Sequence, residues 1–570
     1  MNLVPVSLRD YRRAWIAGDV IAGVTLAAVA IPETMGYTSI AETPLVTGLY
    51  TVIFPTLLFA LLGASRLLVV GADSATAAIL AAGLAGLSVS GLTPYSEEWL
   101  AFAGLVALVC GALLLVARVL RLGFIGDFLS ASVLIGFLTG VGIQVLTGQI
   151  PAMFGFPKGS GTWLQQQKDM VQNVFDGKIN WWTFAFALGT IIIIQGFKRF
   201  IPKIPGAVVA VVLSIILSAA LDAQSHGVSI VGAVTGGFPP IGIPSGLTWS
   251  DVALVFPIAI SCFILIIAQS AATSRSFAMR HGQRADINRD LVGLSGASFA
   301  AGLSGTFVVN GSPTKTQILD EDRGRTQLAN MTMSAVVLFV VMFATGLLKD
   351  MPNAVLAAIV FLIGVDLVDA LGLRRIARER YSEFVIAVVT ACTVFLIGVE
   401  QGIVLAIVLS LLELVRRQYQ PRDFVLGVDA DGQRKYEAAK PGAQSRPGLV
   451  IFRYDADLFY ANASRFSDDV QGLVLNAPDP VKWVVLDCSA LDDVDYSAGI
   501  TLKGLVDFVR NHEAQFWLAE PDAGLTATLT NYGVIDKIGT DHVFPTLTAA
   551  IDAYLSAHPH VPTPPTPPTS

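Results

Sequence analysis

Apolar stretches of roughly membrane-spanning length recur from Asp19 to Arg416, and this repetition decides what the chain can become. A bilayer's hydrocarbon core is about 30 Å thick and takes about 20 residues of helix to cross. Clear runs lie around 19–39, 46–62, 99–117, 181–197, 205–221, 251–270, 327–348, 352–370, 383–399 and 401–415. Others, around 67–88, 123–150, 290–303 and 304–319, are interrupted by Gly, Pro or polar residues and bring the count to about fourteen. In lipid every backbone group must be satisfied within the protein, so such runs become helices. The expected fold is a polytopic α-helical membrane protein. The first run is too long for a signal peptide, lacks a small-residue cleavage site and continues into a second span.

Composition narrows the function. The chain is 53% hydrophobic and 14% charged, with mean hydropathy +0.63 and net charge −7, where a soluble protein has about 25% charged residues. A single anchored enzyme domain and a nucleic-acid binder are both disfavoured, since duplex binding needs a basic surface. Cys110, Cys262, Cys392 and Cys488 are far apart and show no metal-ligand spacing, and no histidine lies within a long apolar run. No metal and no cofactor are expected. Nor does any nucleophile, base and oxyanion set appear, so the chain is not read as an enzyme.

Charge placement orients the spans, because cytoplasmic loops carry the Lys/Arg excess. Loops on one side hold Arg66, Arg118, Arg121, Lys198, Arg199, Lys203, Arg275, Arg280, Arg284, Arg289, Arg323, Arg325, Arg374, Arg375, Arg378 and Arg380, while the opposite loops hold Lys158, Lys168, Lys178 and Lys349. Both termini are therefore expected in the cytoplasm, around a multi-pass domain of the inner or plasma membrane. The division reads as a cytoplasmic N-terminus over 1–18, a transmembrane domain over 19–418, a linker over 419–447, an α/β domain over 448–556 and a Pro-rich tail over 557–570. Strands at 449–454, 483–487 and 514–518 alternate with helices at 463–474, 500–511 and 547–555, a βαβ-type pattern.

An internal match points to the working site. Val69-Val70-Gly71-Ala72-Asp73-Ser74-Ala75-Thr76 can be laid without a gap on Val308-Val309-Asn310-Gly311-Ser312-Pro313-Thr314-Lys315, and the match continues to Leu80 and Leu319. Each copy runs from an extended apolar stretch through small polar residues into a helix start. They stand about seven spans apart, an odd number, so they are inverted with respect to each other. A helix start presents unsatisfied N–H groups and a partial positive charge, and two facing starts form an anion site. Lys315 lies at the wrong end of its helix for the dipole unless an anion or a carboxylate sits beside it. Glu33, next to Pro32, reads as a functional intramembrane carboxylate. For Asp73 a helix cap and a coupling role stand level. Tyr37, one turn from Glu33, lines a cavity or only packs, while Asp366 and Glu413 read as structural.

Pro32-Glu33-Thr34-Met35-Gly36-Tyr37-Thr38-Ser39-Ile40-Ala41, with Pro44 and Gly48-Leu49-Tyr50, resembles the first-helix signature of the SulP anion transporters, the family of sulfate permeases and prestin. Asn310-Gly311-Ser312-Pro313-Thr314-Lys315-Thr316 resembles its tenth-helix motif, and the C-terminal domain looks like a STAS domain. The resemblance implies fourteen segments in two inverted repeats of seven, with a core domain moving against a gate domain as an elevator and an anion held between the third and tenth half-helices. It puts Thr314, with Gly311 and Ser312, at the anion site, and Lys315 on the family's arginine. Ser74, Ala75 and Thr76 fall at the opposing helix start, and Glu33 and Tyr37 face the cavity. Lysine keeps the charge there but loses the planar fork. Where many members carry a coupling glutamate this chain has Gln269, which can hydrogen-bond but cannot titrate; if a proton is the coupling ion, with sodium the other candidate, Glu33 or Asp73 must carry it, and otherwise the protein is an exchanger or an uncoupled pathway. Gly71-Ala72 replaces a usual Gly-Pro, which should soften the third-segment break. A homodimer is implied, as is a regulatory phosphorylation position at Ser497, for which a serine helix cap is the plainer reading. Two other readings are an uncharged-solute transporter of the same fold and a STAS-based membrane sensor or scaffold.

Overall fold

The computed structural model describes residues 11–558 apart from 88, 90–91, 124–129, 158, 160–161, 202–203, 235, 420 and 429–433. The first ten residues and the tail from 559 lie outside the described residues, as do Lys158, Lys203 and part of the 123–150 run. Contacts divide the chain into two compact units, 1–410 and 411–570.

The first unit is helical. α1 (Ile16–Ala41) continues through Pro32, and a split second segment follows as α2 (Leu45–Tyr50) and α3 (Phe54–Leu62). The third segment is a short strand, β1 (Val69–Gly71), followed by α4 (Ser74–Ala85). Then come α5 (Glu97–Val119), α6 (Ala131–Phe154), α7 (Trp163–Phe175), α8 (Trp181–Phe200) and α9 (Gly206–Ala220). The second half repeats the plan: α10 (Trp249–Arg280), α11 (Ile287–Leu303), β2 (Asn310–Ser312) with α12 (Pro313–Glu321), α13 (Leu328–Phe343), α14 (Asn353–Leu367), α15 (Ala370–Glu379), α16 (Tyr381–Leu396) and α17 (Val399–Tyr419). With α7 and α15 set aside as non-spanning, each half has seven segments, and the broken one is third in both. Seven helical stretches among the described residues are long and apolar enough to cross a membrane alone. Shorter apolar helices of 10–17 residues accompany them.

Small residues let the helices approach. A Cβ on Gly136 would lie 2.3 Å from the Ala387 carbonyl oxygen, one on Gly140 2.6 Å from that of Ala391, and one on Gly142 2.7 Å from that of Gly364. These contacts seat α6 on α16 and α14, as expected where lipid gives helices no hydrophobic reason to associate. One group of helices comprises α1 to α5 with α10 to α13, in which α5 packs on α11 and α1 on α13. The other is built around α6, α8, α9, α14 and α16.

The second unit contains a six-stranded sheet in the order 434–438, 423–428, 449–454, 483–487, 515–519, 543–544. β5 (Leu449–Tyr454), β6 (Trp483–Asp487), β7 (Gln515–Ala519) and β8 (Val543–Phe544) are parallel. Alternation along them sorts two cores. Val450, Phe452, Val484, Leu486, Phe516 and Leu518 face α18 (Ala463–Leu475), α19 (Tyr496–Asn511), α20 (Ala523–Asn531) and α21 (Val534–Ile538), whereas Leu449, Ile451, Trp483, Val485 and Trp517 face α22 (Leu547–Ala557). Residues 423–428 and 434–438, within the expected linker, instead form the antiparallel strands β3 (Asp423–Val428) and β4 (Arg434–Ala438) on the edge of this sheet. The charged residues drew the reading toward linker, but Val425 and Leu426 point to opposite faces and are both buried. Asp487 is 1% exposed and accepts a hydrogen bond from Tyr436, whose own burial and this carboxylate push its hydroxyl up to about 12. α19 starts four residues before the expected helix, capped by Asp495, which accepts the Ala498 N–H at 2.7 Å. Ser497 is therefore not the cap; it stands exposed in the first turn.

Candidate functional site

Extended backbone inside a membrane needs partners for its N–H and C=O groups. β1 and β2 supply each other, pairing antiparallel with Val69 opposite Ser312, Val70 opposite Gly311 and Gly71 opposite Asn310. The sequence overlay that carries Val69 to Val308 also carries Gly71 to Asn310. This cross-pair joins two equivalent residues, so the pseudo-twofold axis relating the repeats passes through it. Side chains satisfy the rest. The Thr316 hydroxyl accepts the Val69 N–H at 3.1 Å, that of Ser270 accepts the Gly311 N–H at 3.1 Å, and that of Thr51 accepts the Ala72 N–H at 3.2 Å. Gln327 Nε2 donates to the Ser65 and Leu68 carbonyls at 2.9 Å each, and Asn330 Nδ2 to Leu68 at 3.1 Å. Glycine is required where neighbours crowd: a Cβ on Gly311 would stand 2.7 Å from Ser270 Oγ.

Each strand hands over to a helix at the position the overlay equates. Asp73 caps α4 by accepting the Ala75 N–H at 3.1 Å, and Ser312 caps α12 by accepting the Lys315 N–H at 3.4 Å. The break before α4 needs no proline, because Asp73 and Thr51 fix it. Pro313, in the first turn of α12, has no N–H to satisfy.

Lys315 is fully buried, and its partner is a carboxylate. Its ammonium donates to the Ala72 carbonyl at 2.8 Å, lies 3.5 Å from Glu33 Oε2 and sits 4.8 Å over the Tyr37 ring. Tyr37 in turn donates its hydroxyl to Glu33 Oε1. One cation thus ties the end of β1 and the start of α12 to α1. On the other side, Gln269 Oε1 accepts from Asn310 Nδ2 at 2.8 Å, and its Nε2 reaches Asp73 Oδ2 at 3.5 Å.

These groups surround a cavity of about 510 Å³. Glu33, Tyr37, Asp73, Ser74, Gln269, Pro313 and Thr314 line one side, from α1, α4, α10 and α12. The lining also includes Val29 and Ile318 from α1 and α12, and Ile135, Leu138, Ile194, Ala207, Ile359, Leu362 and Ile363 from α6, α8, α9 and α14. The cavity reaches Asp366 and Asp369 at the end of α14, where Asp366 pairs with Lys198 at 3.3 Å. Of the residues singled out from sequence, Glu33, Tyr37, Asp73, Ser74, Gln269 and Thr314 come together on the lining, while Ala75, Thr76, Gly311, Ser312 and Lys315 are buried behind it. Sequence reasoning passed over Asn310 as a connector, the apolar wall, and Gln327 and Asn330. For Asn310, Gln327 and Asn330 the signal was a side-chain amide beside or within an apolar stretch.

Residues 16–390 match the model of the sulfate permease family, and 440–550 match the STAS domain. The chain belongs to the sulfate permease family. A probable sulfate transporter of Mycobacterium tuberculosis is 34% identical over 550 residues, covering 96% of this chain and 97% of its own. Sulfate transporter 1.2 of Arabidopsis thaliana is 25% identical, over 96% of this chain and 86% of its own. The murine Solute Carrier 26 family member A9 anion transporter, solved in an inward-facing state, shares the fold with a TM-score of 0.85 at 22% identity, covering 98% of this chain and 94% of its own. The transmembrane domain of a cyanobacterial bicarbonate transporter aligns with a TM-score of 0.59 at 23% identity, over 71% of this chain and 98% of its own. As a sulfate permease family member the chain is a polytopic membrane transporter with a C-terminal STAS domain, not an enzyme.

Proposed function

We propose that this sulfate permease family member is a secondary transporter of small anions, of the sulfate, bicarbonate, chloride or dicarboxylate class. The observation that carries the reading is a single cavity onto which two half-helix starts open from opposite repeats. The Ala75 N–H is taken by Asp73, the Lys315 N–H by Ser312, and Pro313 has none. The Thr76 N–H is also turned to the Asp73 carboxylate. The N–H groups of Ser74 and Thr314, with the Ser74 hydroxyl and the Thr314 hydroxyl, which lies 3.1 Å from Ser312 Oγ, then remain as donors for an anion. The sulfate transporters among the relatives support the substrate class.

Most of the polar lining comes from α1, α4, α10 and α12, while α6, α8, α9 and α14 contribute apolar residues up to Asp366 and Asp369, which suits a core that slides past a largely apolar gate in an elevator-like step. The cavity runs toward the Arg-rich loops, so with both termini in the cytoplasm this conformation faces inward. Family resemblance adds a homodimer. Exposed in a helix first turn, Ser497 suits a phosphate, whose charge the helix dipole favours.

Lys315 is balanced by Glu33, and Asp73 adds a second carboxylate, so an incoming anion meets excess negative charge unless a cation enters with it. A proton carried at one of the two cavity carboxylates, Glu33 or Asp73, fills that role, and sodium is the other candidate. Proteoliposomes test this with labelled sulfate, bicarbonate and a dicarboxylate, with and without an inward proton gradient. Wild-type uptake of one of them should rise several-fold with the gradient, and uptake by the Glu33→Gln or the Asp73→Asn variant should not respond. Wild-type uptake indifferent to the gradient would remove proton coupling and leave exchange or sodium.

A further inference from the structure

α7 and α15 occupy equivalent places in the two repeats, each between the fifth and sixth segments of its half. Neither contains a buried residue. Inversion puts them on opposite membrane faces. α15 is held between the ends of two spanning helices, with α14 ending at Leu367 and α16 beginning at Tyr381, so it lies along the surface. Leu373, Ile376 and Ala377, on one side, are half-buried against the bundle, and Leu371, Arg374, Arg375 and Arg378 point outward. Leu371 is 75% exposed.

The two helices differ in charge. α7 carries Lys168 and Asp169, which balance, whereas α15 carries Arg374, Arg375 and Arg378 against Glu379, and Arg380 follows directly. Nearby carboxylates are engaged elsewhere: Asp366 with Lys198, Asp369 as the cap accepting the Gly372 N–H at 2.7 Å, and Glu383 with Arg380 at 3.9 Å. Among the described residues no carboxylate forms an ion pair with Arg374, Arg375 or Arg378.

We infer that α15 is a docking surface for anionic phospholipid headgroups of the cytoplasmic leaflet, with Arg374, Arg375 and Arg378 on the phosphates and Leu371 in the acyl boundary. The leaflet rests on the orientation proposed above; the headgroup chemistry does not. Guanidinium forks match phosphate oxygens, and a helix pinned at the surface meets them without a search. Asp366 and Asp369 at the cavity mouth immediately precede α15, so lipid held there steadies the inward opening and supports transport.

The test uses the full chain and its Arg374→Gln/Arg375→Gln/Arg378→Gln variant. Native mass spectrometry from micelles doped with phosphatidylglycerol should show lipid retained several-fold more by the wild type, with retention lost on adding salt. This readout is independent of what the protein transports. Wild-type uptake should be several-fold higher in phosphatidylcholine vesicles containing phosphatidylglycerol than in phosphatidylcholine alone, and variant uptake equal in both. Equal lipid retention by the two proteins would overturn the inference. So would reproduction of the effect by soluble glycerol phosphate, or a variant equally impaired in both vesicles, which would instead indicate a protein contact.

Discussion

Lys315→Ala is expected to lower anion uptake by about two orders of magnitude, corresponding to about 3 kcal/mol. The variant removes the donor to the Ala72 carbonyl and the cation beside Glu33 at once. Breaking a buried pair costs about 3–5 kcal/mol, because the remaining charge is left uncompensated. The Glu33 side chain is 14% exposed to the cavity, which places the stability loss toward the lower end. A Lys315→Met/Glu33→Gln double variant, which buries neither charge, should recover most of the thermal stability measured in detergent while remaining inactive. Recovery of stability without recovery of uptake separates the electrostatic role of this pair from its packing. Wild-type uptake in Lys315→Ala would sink the transport reading and favour a STAS-based sensor or scaffold.

The second large effect is steric. A Cβ on Gly48 would lie 2.2 Å from the Thr34 carbonyl oxygen and 2.7 Å from Thr38 Cγ2, one residue along α1 from Glu33. Overpacking costs about 1–3 kcal/mol and occasionally more. A backbone carbonyl in a helix cannot rotate aside, so Gly48→Ala belongs at the upper end. It should force α2 away from α1, lower the unfolding temperature clearly and reduce uptake at least tenfold. Gly148→Ala is the control, since a Cβ there meets nothing within 4 Å. Equal unfolding temperatures for the two variants would show that the α1–α2 contact is looser than this geometry.

Much of this was readable from sequence because the physics is local. Apolar runs give spans, and an ungapped overlay equated Asp73 with Ser312, the two residues that cap the half-helices. Runs such as Leu449–Tyr454 and Trp483–Asp487 are buried on both faces and announce themselves by continuous hydrophobicity. Pairings between distant residues were not readable. Spacing along the chain does not show that Lys315 reaches both Glu33 and Ala72, or that Gln327 and Asn330 satisfy the backbone before β1. The surface helices α7 and α15 escaped because they are amphipathic and too short to register as spans. The β3–β4 pair was hidden by its charges, and its strands are recognisable only once the sheet beside them exists.

The central claim is that the anion sits between the two helix starts, and Thr314 tests it most directly. Thr314 lines the cavity with its hydroxyl 3.1 Å from Ser312 Oγ, and valine keeps its shape while removing the hydroxyl. A hydrogen bond to a charged group contributes about 1.5–3 kcal/mol, so losing one weakens binding about tenfold or more. Equilibrium binding of the anion selected by the uptake assay should therefore be measured on purified wild type, Thr314→Val and Ser74→Ala. The account predicts a Kd raised about tenfold or more in Thr314→Val and raised in Ser74→Ala, with folding intact. An unchanged Kd in both variants would contradict it and place the anion elsewhere.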